Sequence, residues 1–204
     1  MKSWIIPVLA ITGIIALLII GPIPQNQDYH NFADSRSFFG IPNFWDVITN
    51  LLFLFVGFIF WTYASNHIPS GRFKTMALAL SLGFVLLCFG SGYYHWRPED
   101  FTLVFDRIPM AIIFMSFFSM FIHDYIGKQQ GINAFYILIP LGILSVVYWF
   151  MSEIAGNGDL RLYILVQFFP IIAIPLIMIL YRSSFNYVRE VVLIFLFFIL
   201  AKVA

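Results

Sequence analysis

The chain has 204 residues, 61% of them hydrophobic and only 10% charged, with a mean hydropathy of +0.92. A water-soluble domain carries about a quarter charged residues, so the soluble, disordered, collagen-like and disulfide-scaffold classes are excluded and a polytopic membrane protein remains. Eleven basic against ten acidic residues offer no electropositive face to a phosphate backbone, so no nucleic-acid partner is expected.

A hydrocarbon core about 30 Å thick calls for roughly 20 apolar residues per spanning helix. Runs of that kind predict seven spans, near 4–21, 44–63, 74–95, 102–123, 133–151, 160–181 and 189–204. The first follows Lys2, and the PIPQNQ after it lacks a small-x-small cleavage pattern, so it reads as a retained helix rather than a signal peptide. In the second and seventh, LLFLFVGFIFW and VVLIFLFFIL are apolar on every side, which excludes the alternating strands of an outer-membrane barrel. Cys88, the only cysteine, lies inside the third and can form no internal disulfide. Trp4, Trp45, Trp61, Trp96 and Trp149 fall near span ends, where an aromatic belt is expected. The seventh run reaches about 24 Å at 1.5 Å per residue and ends in AKVA without a polar cap. It is expected to belong to an incomplete form of a longer protein; the alternative is a short terminal helix with a snorkelling Lys202.

The fold class predicted is all-α: one transmembrane helical bundle over residues 1–204 with no separate soluble domain. Lys2, Arg72, Lys74, Lys128, Arg182 and Arg189 lie on the N-terminal side, and Arg36, Arg97, Arg107, Arg161 and Lys202 on the other. This bias of six to five places the N-terminus in the cytoplasm.

Polar side chains inside spans are costly in lipid and are therefore the first candidates for function. Ser91 and His95 are four apart near the end of the third span and share one helical face. Asp106 lies one turn into the fourth, after the short WRPEDFT turn, and Asp46 opens the second from the same side. The set gathers at the end of the bundle that is non-cytoplasmic under this orientation. A neutral imidazole is a good zinc ligand and a carboxylate can take a proton, yet a catalytic zinc normally has three protein ligands plus water. His67 and His123 belong to the opposite surface, so His30 is the one other histidine able to approach His95. The alternatives are structural: a serine bonded to its own helix, and an Asp106–Arg107 charge pair at the interface with Arg97 in reach.

At these residues, NFWDVITN at 43–50, GSGYYHW at 90–96 and FDRIP at 105–109, the chain resembles the alkaline ceramidases and their bacterial relatives. These lie within the wider superfamily of seven-helix membrane hydrolases that includes the adiponectin receptors. The superfamily pattern is Ser-x-x-x-His on core helix two, Asp on helix three and His-x-x-x-His on helix seven. Ser91 to His95 and Asp106 supply the first two elements, and the third has no counterpart. The resemblance covers roughly residues 25–204 and implies an extra N-terminal span (1–24) followed by core helices one to six. It further implies a zinc-dependent amidase that splits ceramide-like lipids, entering from the bilayer, into a fatty acid and a sphingoid base. His95 would then be the first zinc ligand, with two more absent from this chain, and Asp106 the proton shuttle. Ser91 would assist the metal site or the oxyanion.

Some relatives also bind calcium. The corresponding stretch offers Asp28, Asp34, Asn43 and Asp46 as oxygen ligands, although Asn43 and Asp46 could equally cap the helix beginning there. Two other functions are open: an ion or proton transporter using His95 and Asp106, and a non-enzymatic lipid-binding protein or inactive homologue. The scarcity of polar residues in spans five and seven counts against the transporter.

Overall fold

A computed structural model describes residues 4–183 and 188–203. Lys2 and Ala204 lie outside them, and so does the side chain of Lys202. Each of the seven apolar runs is helical, and among the described residues the only strand-like pairing is one bridge between Phe38 and Ile41. In chain order the helices are α1 (Ile5–Ile20), α2 (Phe44–Thr49), α3 (Leu51–His67), α4 (Arg72–Trp96), α5 (Asp100–Phe121), α6 (Lys128–Ile154), α7 (Arg161–Leu180) and α8 (Val188–Val203). A 3₁₀ turn, Gln27–His30, precedes α2, and a π-turn, Ile122–Ile126, extends α5.

Among the described residues, five helical segments are long and apolar enough to cross a membrane: Phe44–His67, which joins α2 to α3, and then Arg72–Trp96, Asp100–Ile126, Lys128–Ile154 and Arg161–Leu180. At 16 residues each, α1 and α8 reach only about 24 Å. The distribution of side chains is that of a protein in lipid. Leu52, Phe55, Phe58 and Ile59 project from α3 while Ser81, Thr102, Ser116 and Ser119 are buried, the reverse of a soluble core. This organisation fits a multi-pass membrane protein.

Without a hydrophobic force between helices in lipid, close packing depends on small residues at the contacts. Between α3 and α4, a Cβ on Gly57 would lie 2.8 Å from Val85 Cγ2, and the Ser81 hydroxyl donates to the Gly57 carbonyl at 2.6 Å. Between α4 and α5 the approach is closer, since a Cβ on Gly90 would stand 1.9 Å from the Phe105 carbonyl oxygen. Pro109 lies four residues after Phe105 inside α5 and has no N–H to give that carbonyl. The oxygen is left facing the α4 backbone, where glycine alone leaves room.

Two apolar clusters brace the bundle. One joins Phe118, Phe121, Tyr125, Ala173, Ile174, Ile177 and Val191 near the far end of α5. The other joins Tyr94, Leu103, Ala111, Val146, Trp149 and Tyr163 at the end where α4 stops and α5 starts. The chain between α1 and α2 is folded over this second end. Leu160 N–H donates to the Ile23 carbonyl at 2.8 Å, and Gln25 N–H donates to Glu153 Oε1 at 2.6 Å.

Candidate functional site

Ser91 and His95 occupy the last two turns of α4, and Ser91 is buried. The Gly90–Phe105 approach brings the Ser91 level of α4 against the Asp106 level of α5, because Asp106 N is 3.4 Å from the same hypothetical Cβ. Asp106 is buried as well. The carboxylate is close enough to act electrostatically on Tyr29, Tyr94 and Tyr163, so it belongs to a polar cluster at the head of α5. Asp46, in the first turn of α2, is close enough to act electrostatically on the His95 imidazole. His95 Nδ1 is buried with no hydrogen-bond partner, and the Phe32 ring covers the imidazole with centroids 4.4 Å apart.

The one other histidine able to approach His95 is engaged elsewhere. His30 Nδ1 lies 3.0 Å from the Tyr94 hydroxyl and Nε2 lies 3.1 Å from Asp100 Oδ1. His123 lies tilted against Phe73 at the opposite end of the bundle, where His67 stacks on Tyr63, as their positions in the sequence require. Among the described residues, no group of three His, Cys, Asp or Glu side chains comes together to hold a metal. The orphaned His95 nitrogen fits one corner of a zinc site, but the described donors do not complete one.

The oxygen residues near α2 have structural engagements. Asp34 Oδ1 accepts from Arg36 Nε at 2.5 Å, and its Oδ2 accepts from Trp45 N–H at 2.8 Å. Asp34 thus satisfies a free N–H in the first turn of α2 from outside the helix. The Arg36 guanidinium, then the backbone N–H groups, hold its carboxyl below the usual carboxylate range despite desolvation. Asn43 adopts φ +47°, a left-handed conformation that asparagine tolerates. Its Nδ2 donates to the His95 carbonyl at 2.8 Å, closing one of the last carbonyls of α4 instead of capping α2. Asp28 accepts from Asn31 Nδ2 at 3.4 Å within its own turn. No bond links these residues into a common oxygen cage.

Arg107 is the residue the sequence undervalued. Considered above only as an alternative partner of Asp106 at the interface, it is buried. Its guanidinium carbon sits 4.0 Å from the Trp149 ring centroid, 4.9 Å from Tyr163 and 5.8 Å from Tyr29. Nη2 donates to Gln25 Oε1 at 2.6 Å, while Nη1 and the Tyr163 hydroxyl are buried without hydrogen-bond partners. Tyr29, in the turn outside the spans, has its phenol pushed up by burial and by the Asp106 carboxylate, against the opposing pull of Arg107. Arg97 pairs with Glu99 at 3.3 Å. A signal for Arg107 was available, because an ionisable residue two turns inside an apolar helix is by default buried and partnered.

Two apolar grooves run along the lipid-facing side of α4 and share Phe89 and Tyr93 as a common ridge. One is bounded by Val47 and Leu51, the other by Phe105 and Pro109. No family model, no curated protein and no solved structure matches the chain.

Proposed function

We propose that this chain is a multi-pass membrane amidase of the ceramidase type, acting on N-acyl sphingoid lipids drawn from the bilayer. The observation that carries the reading is that buried Ser91 and Asp106 lie on the two helices at the level of the Gly90–Phe105 contact, one turn from an imidazole with an unsatisfied buried nitrogen. Hydrolysis adds water across the amide C–N bond and releases a fatty acid and a sphingoid amine. Asp106 takes the proton of the attacking water and delivers it to the departing nitrogen, and Ser91 donates a hydrogen bond to the carbonyl oxygen as it gains charge. The grooves beside Phe89 and Tyr93 give an acyl chain lateral contact with α4. Bound zinc would supply Lewis acidity through His95, with its remaining ligands from outside the described donors. If the two 16-residue helices also cross, the six-to-five basic bias would set this end of the molecule on the non-cytoplasmic side.

Purified protein is expected to hydrolyse ceramide, and about one zinc per chain, in a site of the kind that takes His nitrogen, would support His95 as a ligand. Asp106→Ala should abolish turnover with the helical content unchanged, and His95→Ala should remove the metal. Turnover that survives Asp106→Ala would sink the assignment. The dispersal of the acidic and histidine donors favours a second reading, a lipid-binding protein without turnover. Metal-free protein that retains ceramide intact would establish it.

A further inference from the structure

Charge is divided unequally between the two ends of the bundle. At the end where α4 begins, the Phe73 and His123 rings meet with centroids 4.9 Å apart, Ser183 donates to Asp124 at 2.5 Å, and Val191 belongs to the cluster of Phe121 and Tyr125. These contacts bring the start of α4, the α5–α6 turn, the end of α7 and the start of α8 to one level. Arg72, Lys74, Lys128, Arg182 and Arg189 lie there, with Asp124 and Glu190 as the acidic residues, and every other acidic residue lies at the opposite end. At that opposite end the arginines are engaged within the protein: Arg36 with Asp34, Arg97 with Glu99, Arg161 with Asp159, and Arg107 against aromatic rings. Among the described residues, no basic side chain at the end where α4 begins makes an ion pair. Arg72, Lys128, Arg182 and Arg189 are exposed there, and Lys74 is half-buried.

We propose that this basic end is a binding surface for anionic phospholipid headgroups, with the Arg72–Tyr136 pair as its fixed point. The guanidinium carbon of Arg72 lies 5.5 Å from the Tyr136 ring centroid, and Nη1 donates to the Tyr136 hydroxyl. Tyr136 is itself 48% exposed, and tyrosine favours the level at which hydrocarbon gives way to headgroups. The contact holds the guanidinium at that depth and leaves the rest of its planar fork for a phosphate, which such a fork can bind in bidentate fashion. Lys74 donates to the Ser65 carbonyl at 2.5 Å and keeps its other ammonium hydrogens. Lys128, Arg182 and Arg189 extend the positive charge around the rim. The partner that complements this surface is negative and carries phosphate. Because the cations ring the ends of apolar helices, they meet lipid headgroups ahead of any soluble polyanion. Binding of this kind is independent of the amidase reading and is measured without substrate.

The test is the lipid selectivity of the full chain in bilayers of phosphatidylcholine and phosphatidylglycerol in equal parts. It is read as the preference of spin-labelled phosphatidylglycerol over spin-labelled phosphatidylcholine for the protein boundary. Wild type should prefer the anionic lipid by roughly two- to fivefold, the upper value being the effect of one basic residue near the surface. Raising the salt from about 0.1 M to about 1 M shortens the screening length from about 10 Å to about 3 Å and should remove most of that preference. Replacing Arg72, Lys128, Arg182 and Arg189 together by Gln should do the same at low salt, whereas Arg36→Gln with Arg97→Gln at the acidic end should not lower it. If the combined variant fails to fold, Arg72→Gln and Arg182→Gln decide singly, each with a reduced preference expected. Inorganic phosphate at matched ionic strength should displace no more lipid than chloride does. The headgroup surface is overturned by wild type without a preference, or by a preference that survives high salt or loss of the basic residues. It is equally overturned if the acidic-end variant loses the preference, or if phosphate displaces the lipid selectively, which would assign the site to a soluble anion.

Discussion

Arg107 shows how much a single residue can connect in this bundle. Its head group touches rings from the N-terminal turn, α6 and α7 and bonds to Gln25, so one cation on α5 joins four parts of the chain. Guanidinium is planar and weakly hydrated and can stack on aromatic faces, whereas an ammonium presents a strongly hydrated point charge. Arg107→Lys is therefore expected to lose about 2 kcal/mol or more, the scale of desolvated cation–ring contacts. A fall in the thermal midpoint in detergent would report it, and an unchanged midpoint would contradict the stacking role. His95 is the complementary case. It has a covering ring and a nearby carboxylate yet leaves a nitrogen unsatisfied, a cost that a structural histidine would ordinarily avoid.

At the scale of elements, the start of α7 is fixed by Asp159 just ahead of it. The carboxylate accepts from Arg161 Nε at 2.8 Å, Arg161 Nη2 at 2.7 Å and Tyr148 at 2.9 Å, and Arg161 Nη1 continues to the Leu17 carbonyl of α1. The Arg161 bonds outweigh desolvation and bring the Asp159 carboxyl down to about 2. Because the folded value is depressed, the stabilisation is complete above the ordinary carboxylate range near 4 and is lost as pH falls from there towards about 2. Asp159→Asn should lower stability at neutral pH by roughly 1.5–3 kcal/mol, as for bonds to a charged group. The difference from wild type should shrink as the pH falls through that window. A constant difference down to the lowest pH would show that the charge is not the cause.

At the scale of the molecule, the described loops lie at two ends of the bundle. The turn after α1, the α4–α5 turn and the α6–α7 loop meet at one end, shown by the bonds of His30 to Asp100 and of Gln25 to Glu153. The α3–α4 turn is at the other. In a Cys88→Ala background, cysteines at exposed Ser37 and Asn157 should react with an impermeant thiol reagent from the same side of a sealed vesicle, and one at exposed Ser70 only from the opposite side. Labelling of positions 37 and 70 from one side would overturn the crossing of α3. Reaction at 37 in intact cells would confirm the orientation proposed from the basic residues.

Hydropathy alone determined that the chain is helical and built for lipid, because spanning length and internal backbone bonding are local demands that each run meets by itself. It also put Ser91 on the same helical face as His95 and placed His67 and His123 at the far surface, since helical rise and the parity of crossings are one-dimensional quantities. The partners of these residues were not legible. Phe32 over His95, His30 between Tyr94 and Asp100, and Arg107 among three rings are contacts between residues 60 or more apart, except for Arg107 with Trp149 and Tyr163, which bridge neighbouring helices. They depend on how closely α4 and α5 approach and on how the N-terminal segment drapes over them. That approach is set where Gly90 meets a carbonyl released by Pro109. Sequence records both residues, but only the folded bundle brings them face to face.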